Sequence, residues 1–177
     1  YKGKSIFSYG DISVCSFHST KVFHTIEGGG IFVKDKDISD KVELIKRFGH
    51  NGDNHIMLGI NAKASEFQAA MGLCNLRYID KNIKKRKIIF DTYNKYLPVS
   101  SRPFKYEQDF KYNYSYYPII CEDEDALKAI INRLNNNNIF PRRYFYPSLN
   151  TLPYLSGQVE ACPVSEKLSS VIMCLPL

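Results

Sequence analysis

No apolar run in this chain approaches the ~18 residues that a membrane-spanning helix needs, so no helical span is expected. The five cysteines, Cys15, Cys74, Cys121, Cys162 and Cys174, are odd in number, scattered, and contain no C-x-x-C pair. That pattern argues against a disulfide frame and for reduced, mostly buried thiols in a cytosolic protein. The four histidines, His18, His24, His50 and His55, have no acidic or thiol set at ligand spacing, so no metal site is expected. There is no internal repeat, and the biased stretch Asn135 to Asn138 reads as a helix stop. The opening Tyr1-Lys2-Gly3-Lys4-Ser5 lacks an initiator methionine and a signal-like stretch, and the chain stops at Leu177 directly after an apolar run. Both ends are therefore expected to lie inside a longer protein.

The 177 residues suit one domain or part of something larger, and 44 % apolar with 14 % aromatic residues can bury a sizeable core. Lys and Arg number 24 against 18 Asp and Glu, a net charge of +6. The densest basic run, Lys81 to Lys87 (KNIKKRK), has no interleaved aromatic platform. It reads as the solvated face of a helix, so no nucleic-acid partner is expected.

The pattern along the chain is that of an α/β protein. Asp11 to Phe17 (DISVCSF) places apolar residues on both faces and carries β-branched Ile12 and Val14, as a strand covered on both sides would. Gly28 to Gly30 lead into a second short run, Ile31-Phe32-Val33. Asp35 or Asp37 then caps a helix with Ile38, Val42 and Ile45 on one face, and the chain turns out of it at Gly49. Ser65 and Gln68 form a capping-box pattern. It opens one long helix whose stripe, Phe67, Ala70, Met71, Cys74, Leu76, Ile79 and Ile83, runs on until Pro98. Ala62, Ala64, Ala69 and Gly72 are small enough for close backbone approach at a buried first half, whereas the second half is basic and exposed.

Pro98 marks the expected boundary between a first domain, residues 1–97, and a second, residues 98–177. The second reads as a small α+β unit. It comprises a Tyr-rich strand from Tyr112 to Cys121, a helix with Leu127, Ile130, Ile131 and Leu134 on one face, and short strands around Ile139 to Tyr146 and Val171 to Leu175.

Chemistry concentrates in Ser16 to Gly29, SFHSTKVFHTIEGG, where a single lysine, Lys21, stands between a strand and a triple glycine. Apolar Val22 and Phe23, with His18 and His24 nearby, disfavour an extra positive charge, and a neutral amine is the nucleophile that attacks an aldehyde. The hydroxyls of Ser16, Ser19 and Thr20, with unobstructed glycine amides, could hold a phosphate.

That segment, followed by LGINAKASEFQAAMGL (Leu58 to Leu73), the helix end around Arg86 and the trailing CLPL, resembles the pyridoxal-phosphate aminotransferases of the DegT/StrS family, which act on nucleotide-linked keto-sugars. The resemblance runs from Tyr1 to Leu177, strongest over residues 9 to 97. It implies the C-terminal part of an aspartate-aminotransferase-like large domain, fold type I, followed by a small α+β domain. Lys21 matches the lysine that condenses with the cofactor aldehyde and later moves a proton. Ser16 matches a serine that bonds the cofactor phosphate, and Asn61 an asparagine that reaches that phosphate from the neighbouring subunit of a homodimer. His18 matches a position near cofactor and substrate, and Lys63 a basic position facing the pyrophosphate of a nucleotide sugar. Arg142, Arg143, Tyr144 and Tyr146 lie where the small domain could close over the nucleotide, with Arg142 and Tyr144 the assigned substrate contacts. A lysine rather than histidine at position 21 favours transamination, with glutamate as donor, over the dehydrating branch.

Family members also carry an acidic partner for the pyridine nitrogen, an aromatic that stacks on the ring and a phosphate-binding Gly-Thr or Gly-Ser turn, all ahead of the segment matching Tyr1. A helix follows their final strand. None of these is in the sequence given, so this stretch alone is expected to bind the cofactor weakly and to transaminate negligibly. The alternative expectation is a non-catalytic remnant or binding module that keeps the fold.

Overall fold

The computed structural model describes residues 1–102, 109–155 and 159–177. The architecture is mixed α/β, in two compact units. Tyr1–Ile83 form the first, and the second runs from Lys84 onward, apart from a few residues around Asp109 that join the first.

In the first unit β1 (Ile12–Ser16) pairs antiparallel with β2 (Gly29–Val33), Ile12 opposite Val33 and Ser16 opposite Gly29. The expectation of a strand covered on both faces is corrected, because Ile12 is 49 % and Val14 74 % exposed. The ribbon has two strands, and among the described residues no layer covers the face that carries these side chains. Asp35, not Asp37, caps α1 (Lys36–Lys46), accepting from the Ile38 amide at 2.9 Å. The helix ends where Gly49, at φ +72°, donates its amide to the Leu44 carbonyl at 2.8 Å. A short hairpin of β3 (His50–Asn51) and β4 (Asn54–His55) follows. The chain then crosses back over the end of α1, where Ile60 donates to the Ile45 carbonyl at 2.8 Å and Ala62 to that of Lys46 at 3.1 Å. These bonds satisfy helix-end carbonyls that would otherwise lack donors.

The capping box forms as read: Ser65 and Gln68 exchange bonds at the start of α2 (Glu66–Leu76). The single long helix is corrected to two, because α3 (Ile79–Tyr96) is a separate element. The Arg77 and Tyr78 amides bond back to the carbonyls of Cys74 at 3.3 Å and Asn75 at 3.0 Å, a tightening that ends α2. Nor is the first half of that stretch buried: in α2 only Gly72 is, and Phe67 is 85 % exposed. The break between the two units falls within α3, between Ile83 and Lys84.

The second unit pairs β5 (Tyr117–Ile120) antiparallel with β6 (Ile172–Leu175). With them are α4 (Glu124–Asn135), capped by Asp123, and α5 (Pro163–Val171). Phe90, Tyr117, Ile119, Cys121, Leu127 and Met173 form its core, and among the described residues every buried hydrophobic side chain belongs to this unit. The Tyr-rich strand is corrected to four residues: the Tyr112 hydroxyl takes the Tyr116 amide at 3.1 Å and donates to its carbonyl at 2.9 Å, occupying groups a strand ladder would need. The strand expected at 139–146 is a single bridge between Arg142 and Cys174. α5 was not expected; it opens on Pro163, tolerated in a first turn where no helical N–H bond is due. Of the five cysteines only Cys121 is buried, which corrects the expectation of mostly buried thiols. No described helix is long and apolar enough to cross a membrane.

Candidate active site

Lys21 stands in the loop between β1 and β2, a loop held by its own short-range bonds. At its mouth the Phe17 amide donates to the Gly28 carbonyl and the Thr25 amide to that of Phe17, both at 2.9 Å. Gly28 adopts φ +141°, and a Cβ there would lie 2.5 Å from the Thr25 hydroxyl, so only glycine fits this closure. At the head the Lys21 amide donates to the His18 carbonyl at 2.9 Å. Lys21 is half-buried, and its ammonium has no hydrogen bond or ion pair to a described residue.

His18 is the hub of this loop. Its amide donates to Ser16 Oγ at 3.3 Å, and its Nδ1 accepts the Thr20 amide at 3.2 Å with Thr20 Oγ1 at 2.9 Å. A ring nitrogen that accepts an amide N–H carries its lone pair there, so in the neutral ring the proton resides on Nε2. Glu27 Oε1 lies 3.4 Å from that Nε2. The Thr20 hydroxyl, expected as a phosphate ligand, is therefore engaged with His18.

Asn61 and Lys63 sit on the segment that crosses the end of α1. Asn61 bridges to Arg47 through the backbone, and Lys63 Nζ donates to Asn61 Oδ1 at 2.6 Å while lying 4.3 Å from the Phe48 ring centre. Lys63 also lines a cavity of 570 Å³ with Glu43, Lys46, Arg47 and His50. Glu43 pairs with Lys46 at 2.6 Å and Arg47 at 3.6 Å; the Lys46 hydrogen bond chiefly holds its carboxyl below the usual range.

In the second unit, Arg142 is exposed and its guanidinium lies 5.2 Å from the Tyr144 ring centre. The Tyr116 hydroxyl donates to that of Tyr144 at 3.1 Å; burial, helped by this bond, pushes the Tyr116 phenol up to about 12. Arg143 does structural work instead, bonding Glu124 at 3.0 Å and the Ser170 carbonyl at 3.2 Å, with Tyr146 3.4 Å beneath it.

The structure thus gathers Ser16, His18 and Lys21 in one loop, Asn61 with Lys63 on another segment, and Arg142 with Tyr144 in the second unit. Among the described residues no hydrogen bond or ion pair links the first group to the second. Sequence reasoning missed Glu27. The pairing of Ser16 with Gly29 is the signal that could have found it: two residues inward on each side of that pair come His18 and Glu27.

The model of the DegT/DnrJ/EryC1/StrS aminotransferase family matches residues 1–177. The chain is 36 % identical to a dTDP-4-amino-4,6-dideoxy-D-glucose transaminase of Shigella dysenteriae, over 98 % of this chain and 49 % of that protein. It is 30 % identical to a GDP-perosamine synthase of Escherichia coli O157:H7, over 95 % of this chain and 47 % of the other. Among solved structures, DesI in the presence of its TDP-sugar product superposes with a TM-score of 0.84 at 28 % identity, over 99 % of this chain and 46 % of that one. The chain spans about half the length of the curated relatives it matches. It belongs to the DegT/DnrJ/EryC1/StrS aminotransferase family.

Proposed function

We propose that this chain is the lysine-bearing part of a pyridoxal-phosphate-dependent aminotransferase that takes an amino group from glutamate and passes it to a nucleotide-linked keto-sugar. The observation that carries the reading is the Lys21 amine, free of bonds to described residues at the head of a loop braced through His18. Family membership and the names of the relatives, a dTDP-sugar transaminase and a GDP-perosamine synthase, support the substrate class.

The donor set suits the cofactor. A lysine amine condenses with an aldehyde, and Ser16 Oγ, which accepts from His18, keeps its own O–H to donate to a phosphate oxygen. When bound, pyridoxal phosphate supplies that aldehyde and a conjugated ring that draws electrons from the carbon gaining or losing the amine. Lys21 Nζ would hold the cofactor and, once released by an amino substrate, would carry a proton to and from the substrate carbon. In the neutral ring His18 offers an Nε2–H donor, and it fixes the turn from which Lys21 projects.

In this reading residues 1–97 belong to the large domain and 98–177 to the small one. Asn61 and Lys63 serve the active site of the second subunit in a homodimer, Asn61 at the cofactor phosphate and Lys63 at the substrate diphosphate. Arg142 and Tyr144 contact the nucleotide, and the protein works in the cytosol.

Incubating a protein of the relatives' full length with pyridoxal phosphate, reducing with borohydride and digesting for mass spectrometry tests the reading. The adduct is expected on Lys21, and the absorbance of the bound cofactor is expected to vanish in Lys21→Ala. A protein of the relatives' full length that takes up no cofactor on Lys21 would overturn the assignment.

A further inference from the structure

We infer that Gly72 and Asn75 of α2 are positioning residues that set the Lys21 loop on the helix, an inference resting on the reading of Lys21 as the aldehyde-capturing amine. Asn75 Nδ2 donates to the His24 carbonyl at 2.9 Å, joining positions 51 residues apart. The same amide nitrogen lies 3.4 Å from His24 Nε2 and 3.5 Å from its Nδ1. One turn earlier on the same helix face, a Cβ at Gly72 would lie 3.0 Å from Thr25 Cγ2 and 3.7 Å from Phe23 Cζ. Gly72 is the buried residue of α2. Glycine is a poor helix former, so what it contributes at mid-helix here is room for the loop.

The geometry fixes the reactive stretch at both ends. The Lys21 amide is tied to His18 at the head of the loop, and His24 is tied to α2 through Asn75. Thr25, the next residue, is bound through its amide to Phe17 and through its hydroxyl to the Glu27 carbonyl at 2.6 Å. Only Val22 and Phe23 lie between Lys21 and the anchored His24, so the side chain at 21 projects from a short span pinned at each end. α2 is capped by Ser65, two residues after Lys63. One helix therefore joins the Asn61–Lys63 segment to the lysine loop.

Three variants separate positioning from folding: Asn75→Asp, which keeps the shape but replaces the donor by a carboxylate facing a carbonyl; Asn75→Gln, which keeps an amide donor; and Gly72→Ala, which favours the helix but crowds Thr25. Amide hydrogen exchange at Lys21 and Thr25 is read by NMR in the chain without cofactor, and pyridoxal phosphate capture on Lys21 is timed by borohydride trapping in a protein of the relatives' full length. Asn75→Asp and Gly72→Ala are expected to speed exchange at both amides about fivefold and to slow capture by a similar factor, with far-ultraviolet circular dichroism unchanged. Asn75→Gln is expected to recover part of both. Unchanged exchange overturns the inference, as does faster exchange with capture at the wild-type rate. Faster exchange in the variants, with no capture even by the wild type, overturns the proposed function while leaving the loop's anchorage on α2 standing.

Discussion

The Lys63 ammonium is held between the Asn61 side-chain carbonyl, at 2.6 Å, and the face of the Phe48 ring, at 4.3 Å. Its neighbours in the cavity, Lys46 and Arg47, are already paired with Glu43. In the proposed reading Lys63, which has no carboxylate partner among the described residues, is the cation that meets a diphosphate. In a protein of the relatives' full length, Lys63→Met is expected to weaken nucleoside diphosphate binding about tenfold by isothermal calorimetry, and Lys63→Arg to retain most of it. Equal affinity in Lys63→Met would remove Lys63 from the binding surface.

Two glycines with positive φ should differ sharply. A Cβ at Gly49 would lie 1.8 Å from the Met57 carbonyl, whereas Gly52 has nothing within 4 Å. Gly49→Ala is expected to lose ~3 kcal/mol or more in urea denaturation, combining left-handed strain with a collision against backbone. Gly52→Ala should lose about 1 kcal/mol, from strain alone. Similar losses at both would mean that the segment after the hairpin yields around Met57.

Tyr116 gives the protein an alkaline weakness. Its phenol titrates near 12 in the folded chain because burial and the bond to Tyr144 favour the neutral form, against an ordinary value near 10. Between these values the unfolded chain releases a proton that the folded chain retains. The contribution of Tyr116 is thus fully present below pH 10 and is lost as pH rises toward 12. Tyr116→Phe should flatten the fall in stability across that window and remove one tyrosinate step from the alkaline titration.

The core of the second unit should dominate mutational losses. Leu127 and Met173 are both fully buried, so Leu127→Ala is expected to cost about 2–5 kcal/mol. Leu58, at 94 % exposure, should tolerate Ser within about 0.5 kcal/mol in the same chain. A thermal unfolding series on both variants makes the comparison.

Much of this was legible where a local rule acts alone. Asp35, Ser65 with Gln68, and Gly49 announce helix starts and a helix end because their bonds reach only a few residues. The Lys21 loop stood out because its lysine, hydroxyls and glycines occur together. What failed depended on partners distant in sequence. Apolar residues on both faces of β1 gave no warning of an open side, and the stripe through Ile79 could not reveal the break at Arg77 and Tyr78, where two amides shorten their reach. Nothing near Asn75 pointed to a carbonyl 51 positions earlier, although Gly72 among small neighbours did signal a close approach. The tyrosines from 112 to 116 read as strand because pattern carries no information on where a phenol will bond.

The buried hydrophobic side chains among the described residues all lie from Phe90 onward. The portion carrying Lys21 combines amide bonds, caps and glycine turns with two ring pairs, Phe7 on Phe32 and Phe17 against Phe23, and buries less apolar surface. Its heat capacity of melting, which tracks apolar area newly wetted, should consequently be low for its length. Warming or mild chaotropes would loosen the surroundings of Lys21 while the aromatic cluster around Tyr117 still held.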